Sequence, residues 1–322
     1  MRLRLGTRGS ALALAQARLV ADALGAADFE ADVELVPIRT SGDAPRGGGP
    51  TGAGEPPDTD KSRFVKEIEA ALLAGEIDLA VHSAKDVPSE LPDGLSIVGV
   101  PERGDSRDAL CLRAVSGDEE ARSGGTLDGL PAGAVVGTSS LRRRAQILAA
   151  RPDLEVRELR GNVDTRLRRL GEGQYDALVL AAAGLERLGR AEGRPISASE
   201  MTPAPGQGAL ALEAREGDGG MATLAGDVTD RVSLLCLTAE RAVVARLETS
   251  CRTPVGAHAE LRDGTLALSA FVGVPDGSVW IRDSFEAPAD DAVAAGEEVA
   301  ARLVSAGARD VLAAAERGAA QA

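Results

Sequence analysis

Aromatic residues make up only 2% of this 322-residue chain, with one tryptophan, one tyrosine and four phenylalanines. A surface that stacks nucleobases needs several exposed rings, so a single-stranded nucleic-acid binder is disfavoured. Lysine is almost absent: Lys61, Lys66 and Lys85 are the only three among 36 basic residues. Cysteine is also sparse, and Cys111, Cys236 and Cys251 lie too far apart for a disulfide framework or a metal-ligand spacing, so no metal site is expected. The longest apolar run, Ala177 to Leu185, is far short of the about 20 residues that cross a bilayer. The opening MRLRLGTRGS carries no apolar leader. A soluble, cytoplasmic protein without a membrane partner is the expectation. Acid is the one excess: 50 acidic against 36 basic residues give a net charge of −14, which opposes binding to nucleic acid or an anionic membrane. A strongly acidic, lysine-poor surface also suits concentrated salt, where self-repulsion is screened, and predicts a halophilic source.

What is present alternates. Leu3 to Leu5, Val33 to Ile38, Ile77 to His82 and Leu95 to Val100 read as strands, with helices over about Ala11 to Leu24 and Phe64 to Leu73. The theme repeats with strands at Ala134 to Val136, Val156 to Leu159 and Ala177 to Leu180, and a helix at Leu141 to Ala150. Strands separated by helices predict parallel sheets covered on both faces. The turns Leu5-Gly6-Thr7-Arg8 and Val136-Gly137-Thr138-Ser139 hold equivalent places in the two halves and hint at duplication. Residues 41–60 are Gly/Pro-rich and read as a flexible loop. Its Gly47 to Gly52 spells G-x-G-x-x-G, but no helix follows, so the dinucleotide reading fails. Past the breaker run Pro203 to Gly208, a helix over about Asp230 to Leu247, strands between Val255 and Phe285, and helices from about Asp290 predict a smaller α+β part.

Three clusters carry chemistry. Nine arginines and four acids fall between Arg142 and Arg169, so this stretch is locally positive in an acidic chain. A solvated helix face is the ordinary explanation of such a run. Its position favours another: Arg142 and Arg143 open a helix after a strand, and Arg160 follows a strand end, where helix N-termini and open α/β sheets hold anions. Converging guanidinium forks suit a ligand with several carboxylates. The second cluster is Val81-His82-Ser83-Ala84-Lys85-Asp86-Val87-Pro88, where Lys85 can bind a carboxylate and Asp86 can stabilise a cationic nitrogen. His82 reads as a core histidine more readily than as an acid–base group. The third is Cys251, in a polar loop beside Arg252 that favours the thiolate, whereas Cys111 and Cys236 read as small buried hydrophobes.

Taken in order, Gly6-Thr7-Arg8-Gly9-Ser10, Phe64-Val65-Lys66-Glu67, Val81 to Pro88, Glu102 to Ala109, Val136 to Arg143, Leu159 to Arg166, Ala183 to Gly189, Gly206-Gln207-Gly208-Ala209 and the Cys251 loop resemble the porphobilinogen deaminase (hydroxymethylbilane synthase) family across nearly the whole chain. The resemblance implies an α/β fold of two type II periplasmic-binding-protein-like domains facing each other across a cleft, plus a smaller α+β C-terminal domain. The boundaries it suggests are 1–101 with 207–228, then 106–202, then 231–322. It implies a monomeric enzyme that condenses four porphobilinogen molecules head to tail on a dipyrromethane cofactor bonded to Cys251, releasing ammonia and then hydroxymethylbilane. By similarity Asp86 is catalytic. Ser83, Lys85, Arg142, Arg143, Arg166 and Arg187 would hold the cofactor, and Arg8, Ser10 and Arg160 the substrate. Thr59-Asp60-Lys61-Ser62 stands where members of the family often read Gly-Gly-Lys-Gly, so a role for Lys61 is not carried over. The competing reading is a non-catalytic carboxylate-binding protein of the same two-domain ancestry.

Overall fold

The structure is a computed structural model and describes residues 2–27, 32–41, 64–113, 126–248 and 253–321. Lys61, Cys251 and, apart from Ser41, the loop expected at 41–60 lie outside the described residues. The chain divides into two compact units. The first comprises Met1–Arg103 and Ala209–Leu234, and the second comprises Gly104–Gly208 with the described residues from 235 onward.

In chain order the first unit begins with β1 (Arg2–Arg8), α1 (Ala11–Ala27), β2 (Asp32–Ile38), α2 (Lys66–Leu73), β3 (Leu79–Ser83), a 3-10 turn (Ala84–Asp86) and β4 (Leu95–Gly99). The second unit continues with β5 (Asp108–Leu112), β6 (Val135–Gly137), α3 (Leu141–Ala150), β7 (Glu155–Arg157), α4 (Val163–Gly171), β8 (Ala177–Ala181), α5 (Ala182–Arg187) and β9 (Arg194–Pro195). The chain then supplies β10 (Leu210–Arg215) and α6 (Gly219–Asp227) to the first unit. After α7 (Arg231–Arg246) come β11 (Val255–Arg262), β12 (Thr265–Gly273), β13 (Trp280–Pro288), α8 (Ala292–Ser305) and α9 (Ala308–Gln321).

The first sheet has the order β2-β1-β3-β10-β4, with β10 antiparallel to both neighbours. The second has the order β7-β6-β8-β5-β9, with β5 antiparallel to both neighbours. The two patterns superimpose strand for strand, with β6, β7 and β8 standing for β1, β2 and β3, so the repeat expected from the two glycine turns extends through both sheets. Each sheet is covered on both faces, which is why its central strands read as continuous apolar runs. In the first, Leu5, Leu79 and Leu212 pack with Val20 and Leu24 of α1 on one face. On the other, Ala80 packs with Ile68 and Leu72 of α2. In the second, Val136 and Val179 meet Ile147 of α3 on one face, while Leu178 and Leu180 pack with Leu170 of α4 on the other.

The paired glycines have a packing reason. A Cβ on Gly6 would lie 2.2 Å from Ile77 Cδ1, and one on Gly137 would lie 2.6 Å from Leu178 Cδ2. Each glycine lets the first strand of its repeat close against the third. The C-terminal part of the second unit is the antiparallel meander β11-β12-β13 with Val243 of α7, Val299 and Leu303 of α8 and Leu312 of α9 in its core. It is the smaller α+β part expected from the sequence. Glu240 of α7, fully buried, joins it to the crossing segment by accepting hydrogen bonds from the Gly206 N–H (2.7 Å) and the Ala259 N–H (2.8 Å).

Candidate active site

In the first unit the turns after β1 and β3 end neighbouring parallel strands and so stand at one sheet edge, the carboxyl edge where α/β sheets bind ligands. After β1, the Ser10 hydroxyl accepts the Ala13 N–H at 3.3 Å as a helix cap, and the Arg8 guanidinium lies 4.4 Å from the centre of the Phe64 ring. After β3 come half-buried Ser83, Lys85 and Asp86. Their turn is templated by β10, because the Ala84 N–H donates to the Ala209 carbonyl at 3.0 Å. Sequence reasoning placed Arg8, Ser10, Ser83, Lys85 and Asp86 at strand ends, and the structure brings these five to a single edge. His82, one residue before them, is buried, with Nε2 2.8 Å from Glu213 Oε2; it is a core histidine.

The arginine stretch of the second unit sorts into three environments. Arg142 and Arg143 are only 4% and 6% exposed, and both turn inward onto Asp108, which is wholly buried. Arg142 forks Asp108 at 2.7 and 3.1 Å, while Arg143 reaches it through Nε at 2.9 Å and the Val179 carbonyl through Nη1. Gln207 donates to the same carboxylate at 3.0 Å. Burial alone would raise the Asp108 carboxyl; the charges of Arg142 and Arg143, with hydrogen bonds from Arg142 and Gln207, overcome it and hold the group far below the usual range. Arg142 and Arg143, expected to hold the cofactor, thus also bind a buried carboxylate, and Arg142 Nε is buried without a hydrogen-bond partner. A buried carboxylate that needs compensation engages their donors, although two arginines on one aspartate still leave one net positive charge inside.

The second environment is locally neutralised and, apart from the partly buried Arg151, exposed. Arg151 pairs with Asp153, Arg157 with Glu155 and Arg160 with Glu158 at 2.6–2.7 Å, and Arg168 pairs with Glu172. Here the plain explanation of the charge run holds, and Arg160 is among these residues. Arg144 donates to the Val156 carbonyl.

The third environment is the informative one. Arg166 stands in the first turns of α4, whose N-cap Asn162 accepts the Thr165 N–H at 2.9 Å, and its Nε donates to the Gly161 carbonyl. Arg187 ends α5 and donates to the Gly208 carbonyl at 2.6 Å. Neither has an ion pair among the described residues. Burial lowers the Arg166 guanidinium to about 10, with the charge of Arg143 adding to the effect. Burial also lowers Arg187, against a small opposing effect of Glu186. Each is a partly desolvated cation with no ion pair among the described residues, which suits a ligand carboxylate, so the residues present fit a group such as a dipyrromethane, which bears an acetate and a propionate on each ring. Cys111 and Cys236 are buried, and burial pushes the Cys111 thiol up to about 12, so both are inert hydrophobes as expected. Among the described residues no cluster of side chains could hold a metal ion, and no helix is long and apolar enough to cross a membrane.

Fold and site together define a class: a duplicated α/β protein with arginine-rich strand ends in one repeat and a lysine–aspartate turn at a strand end of the other. The chain belongs to the porphobilinogen deaminase family. The family's "Porphobilinogen deaminase, dipyromethane cofactor binding domain" matches residues 3–223, and its C-terminal domain matches residues 234–305. The porphobilinogen deaminase of Thiobacillus denitrificans is 46% identical over 318 residues, 96% of this chain and 97% of its own. That of Thermus thermophilus is 46% identical over 312 residues, with the same coverage of both chains. Among solved structures, an ancestral cationic amino acid solute-binding protein covers 70% of this chain and 88% of its own, at 14% identity and a TM-score of 0.41. The periplasmic VFT2 domain of BvgS from Bordetella pertussis covers 70% of this chain and 86% of its own, at 16% identity and a TM-score of 0.37. The activity is that of the family: stepwise condensation of four porphobilinogen molecules on a covalent dipyrromethane, with release of ammonia and then hydroxymethylbilane.

Proposed function

We propose that this chain divides the family's reaction between a holding set and one reacting carboxylate. Arg166 and Arg187 hold carboxylates of the cofactor, with Ser83 and Lys85, and Cys251 is its point of attachment. Arg142 and Arg143, which also bind Asp108, join this cofactor-holding set through the one net positive charge left over. Arg8, Ser10 and Arg160 draw in the acetate and propionate of each incoming porphobilinogen; Arg160 does so by exchanging Glu158 for the ligand. The observation that carries the reading is the pair of half-buried guanidiniums, Arg166 and Arg187, with no acid of their own.

When bound, the dipyrromethane supplies the pyrrole carbon onto which the first unit is joined. The protein's own part is then electrostatic. Asp86 places a carboxylate beside the substrate's pyrrole nitrogen, where positive charge grows as ammonia leaves and again as the new bond forms, and a fixed counter-charge at that point lowers both barriers. Orientation by several arginines keeps the reacting carbons aligned. We further propose a monomer of three domains, 1–101 with 207–228, 106–202 and 231–322, working in a salt-rich cytoplasm.

Intact-mass measurement of the purified protein should show an increment of two pyrrole units that is lost in Cys251→Ser. Asp86→Ala should keep the increment and lose nearly all turnover. An unmodified but fully active protein would refute the Cys251 assignment, and normal turnover in Asp86→Ala would move the chemistry elsewhere.

A further inference from the structure

Three titratable side chains lie buried directly behind the Ser83–Asp86 turn, and the reaction as described uses none of them. His82 on β3, Glu213 on β10 and Glu69 on α2 are 5%, 1% and 6% exposed. In the β3–β10 ladder Glu213 stands opposite Ala80 and Ala211 opposite His82. His82 and Glu213 are therefore diagonal neighbours on one sheet face, the face on which Ile68 and Leu72 of α2 pack against Ala80. The 2.8 Å contact from His82 Nε2 to Glu213 Oε2 cross-links the two strands two residues before Ala84 and four residues after Ala209, to whose carbonyl the Ala84 N–H is hydrogen-bonded. Glu69 and Glu213 each keep an oxygen, Oε1 in both, that is buried without a hydrogen-bond partner.

Burying two carboxylates and an imidazole costs stability unless the group does something else. The neighbouring charges do not account for it. Arg215, next on the same face of β10, has its Nη1 engaged by the Leu72 and Ile77 carbonyls and its Nη2 by Asp218. Glu67 on α2 accepts the Ser41 N–H. The Arg4–Asp78 pair sits at the opposite end of β3.

We propose that His82 and Glu213 are positioning residues for the reaction, clamping the register of β3 on β10 so that Ser83, Lys85 and Asp86 are presented in one geometry. The proposal rests on the assignment of Asp86 as the reacting carboxylate. A one-residue slip of β3 would turn His82 to the other face and carry the turn with it, and the diagonal hydrogen bond can form in only one register. Burial, followed by the charge of Glu213, raises the Glu69 carboxyl to about 7, against a smaller opposing effect of His82.

Steady-state kinetics on cofactor-loaded enzyme test this. His82→Gln keeps an amide N–H where imidazole Nε2 stood and should retain kcat within about threefold. His82→Leu removes the donor and should lose kcat by roughly tenfold to a hundredfold, the scale of a small misplacement, with KM nearly unchanged and the cofactor mass increment intact. Equal kcat in the two variants, whether native or depressed, overturns the clamp. Should His82→Leu not fold, nuclear magnetic resonance of the ring nitrogens decides in its place. The chain has only two histidines, so the His82 ring signals can be followed alone; Nε2 should carry a hydrogen-bonded shift that is lost in Glu213→Leu. A ring-nitrogen spectrum unchanged in that variant overturns the clamp. Asp86→Ala, run alongside, separates the two assignments. If it is fully active, the Asp86 reading fails; if it is inactive while His82→Leu is native in rate, only the clamp fails.

Discussion

Replacing Asp108 with asparagine isolates the buried charge that the sequence alone did not reveal. Asp108 has no exposed surface and takes hydrogen bonds from Arg142, Arg143 and Gln207. Asparagine keeps the shape, loses the charge and turns an amide N–H₂ toward two guanidiniums. Removing one partner of a buried ion pair leaves an uncompensated charge, which costs about 3–5 kcal/mol. Two cations on one anion place Asp108→Asn toward the upper end. The control is Glu155→Ala, whose partner Arg157 is equally solvent-exposed at 53% each and should change stability by no more than about 1 kcal/mol. Trp280, the only tryptophan, lies in β13 of the same compact unit and stacks on Phe271 with centroids 6.3 Å apart, so its fluorescence in urea reports that unit. The acid limb gives a second reading. Because the folded state holds the Asp108 carboxyl below its unfolded range, its contribution is present above about pH 4 and is lost as pH falls below it, a slope that Asp108→Asn should lack. A variant within about 1 kcal/mol of the wild type would show that Asp108 contributes little to holding Arg142 and Arg143.

Glu69 predicts the opposite slope. Its folded value near 7 lies above the ordinary carboxylate range, so the unfolded chain releases that proton first and stability falls as pH rises from about 4.5 to 7. Glu69→Gln should match the wild type near pH 4 and exceed it at pH 8 by up to about 3 kcal/mol in thermal or urea unfolding; equal stability at pH 8 would contradict the burial argument. Arg166→Gln should separate stability from function. In a Cys251→Ser background, which carries no cofactor, it should leave stability unchanged or raise it by up to about 1 kcal/mol, because a desolvated cation is removed. With Cys251 intact it should lower the fraction of protein bearing the mass increment. A clear loss of stability in the cofactor-free background would mean that Arg166 serves the fold.

The strands legible in the sequence are those whose apolar run is unbroken, such as Leu79 to Val81 and Ala177 to Leu180. Of the three that were not legible, β9 is only two residues long, while β5 and β10 carry Asp108 and Glu213 in or beside the buried run, and an acid there normally signals a loop. Each is tolerated because a cation or imidazole far away in sequence meets it, and no local pattern encodes that meeting. The same distance hid the fate of Arg142 and Arg143: their place after a strand was right, but the direction of their side chains depends on residue 108. The helices α4 and α6 escaped notice because α4 buries only Leu170 and α6 is rich in glycine. The first edge was readable because strand ends, helix caps and the Lys85-Asp86 turn are all local.

The strand order also fixes a sequence of events during synthesis. All five strands of the second sheet lie between residues 108 and 195, so that sheet can close as soon as they leave the ribosome. The first sheet cannot, because β10 sits between β3 and β4 and ends only at residue 215. At about 5–20 residues per second, β4 waits roughly 6 to 23 seconds for the strand that joins it to the rest. Throughout that interval the edge of β3, carrying His82 and leading to the reacting turn, stands unpaired and open to other chains. Of the two five-stranded sheets, the one begun first closes last, and the β3 edge that leads to Asp86 is the seam that closes it.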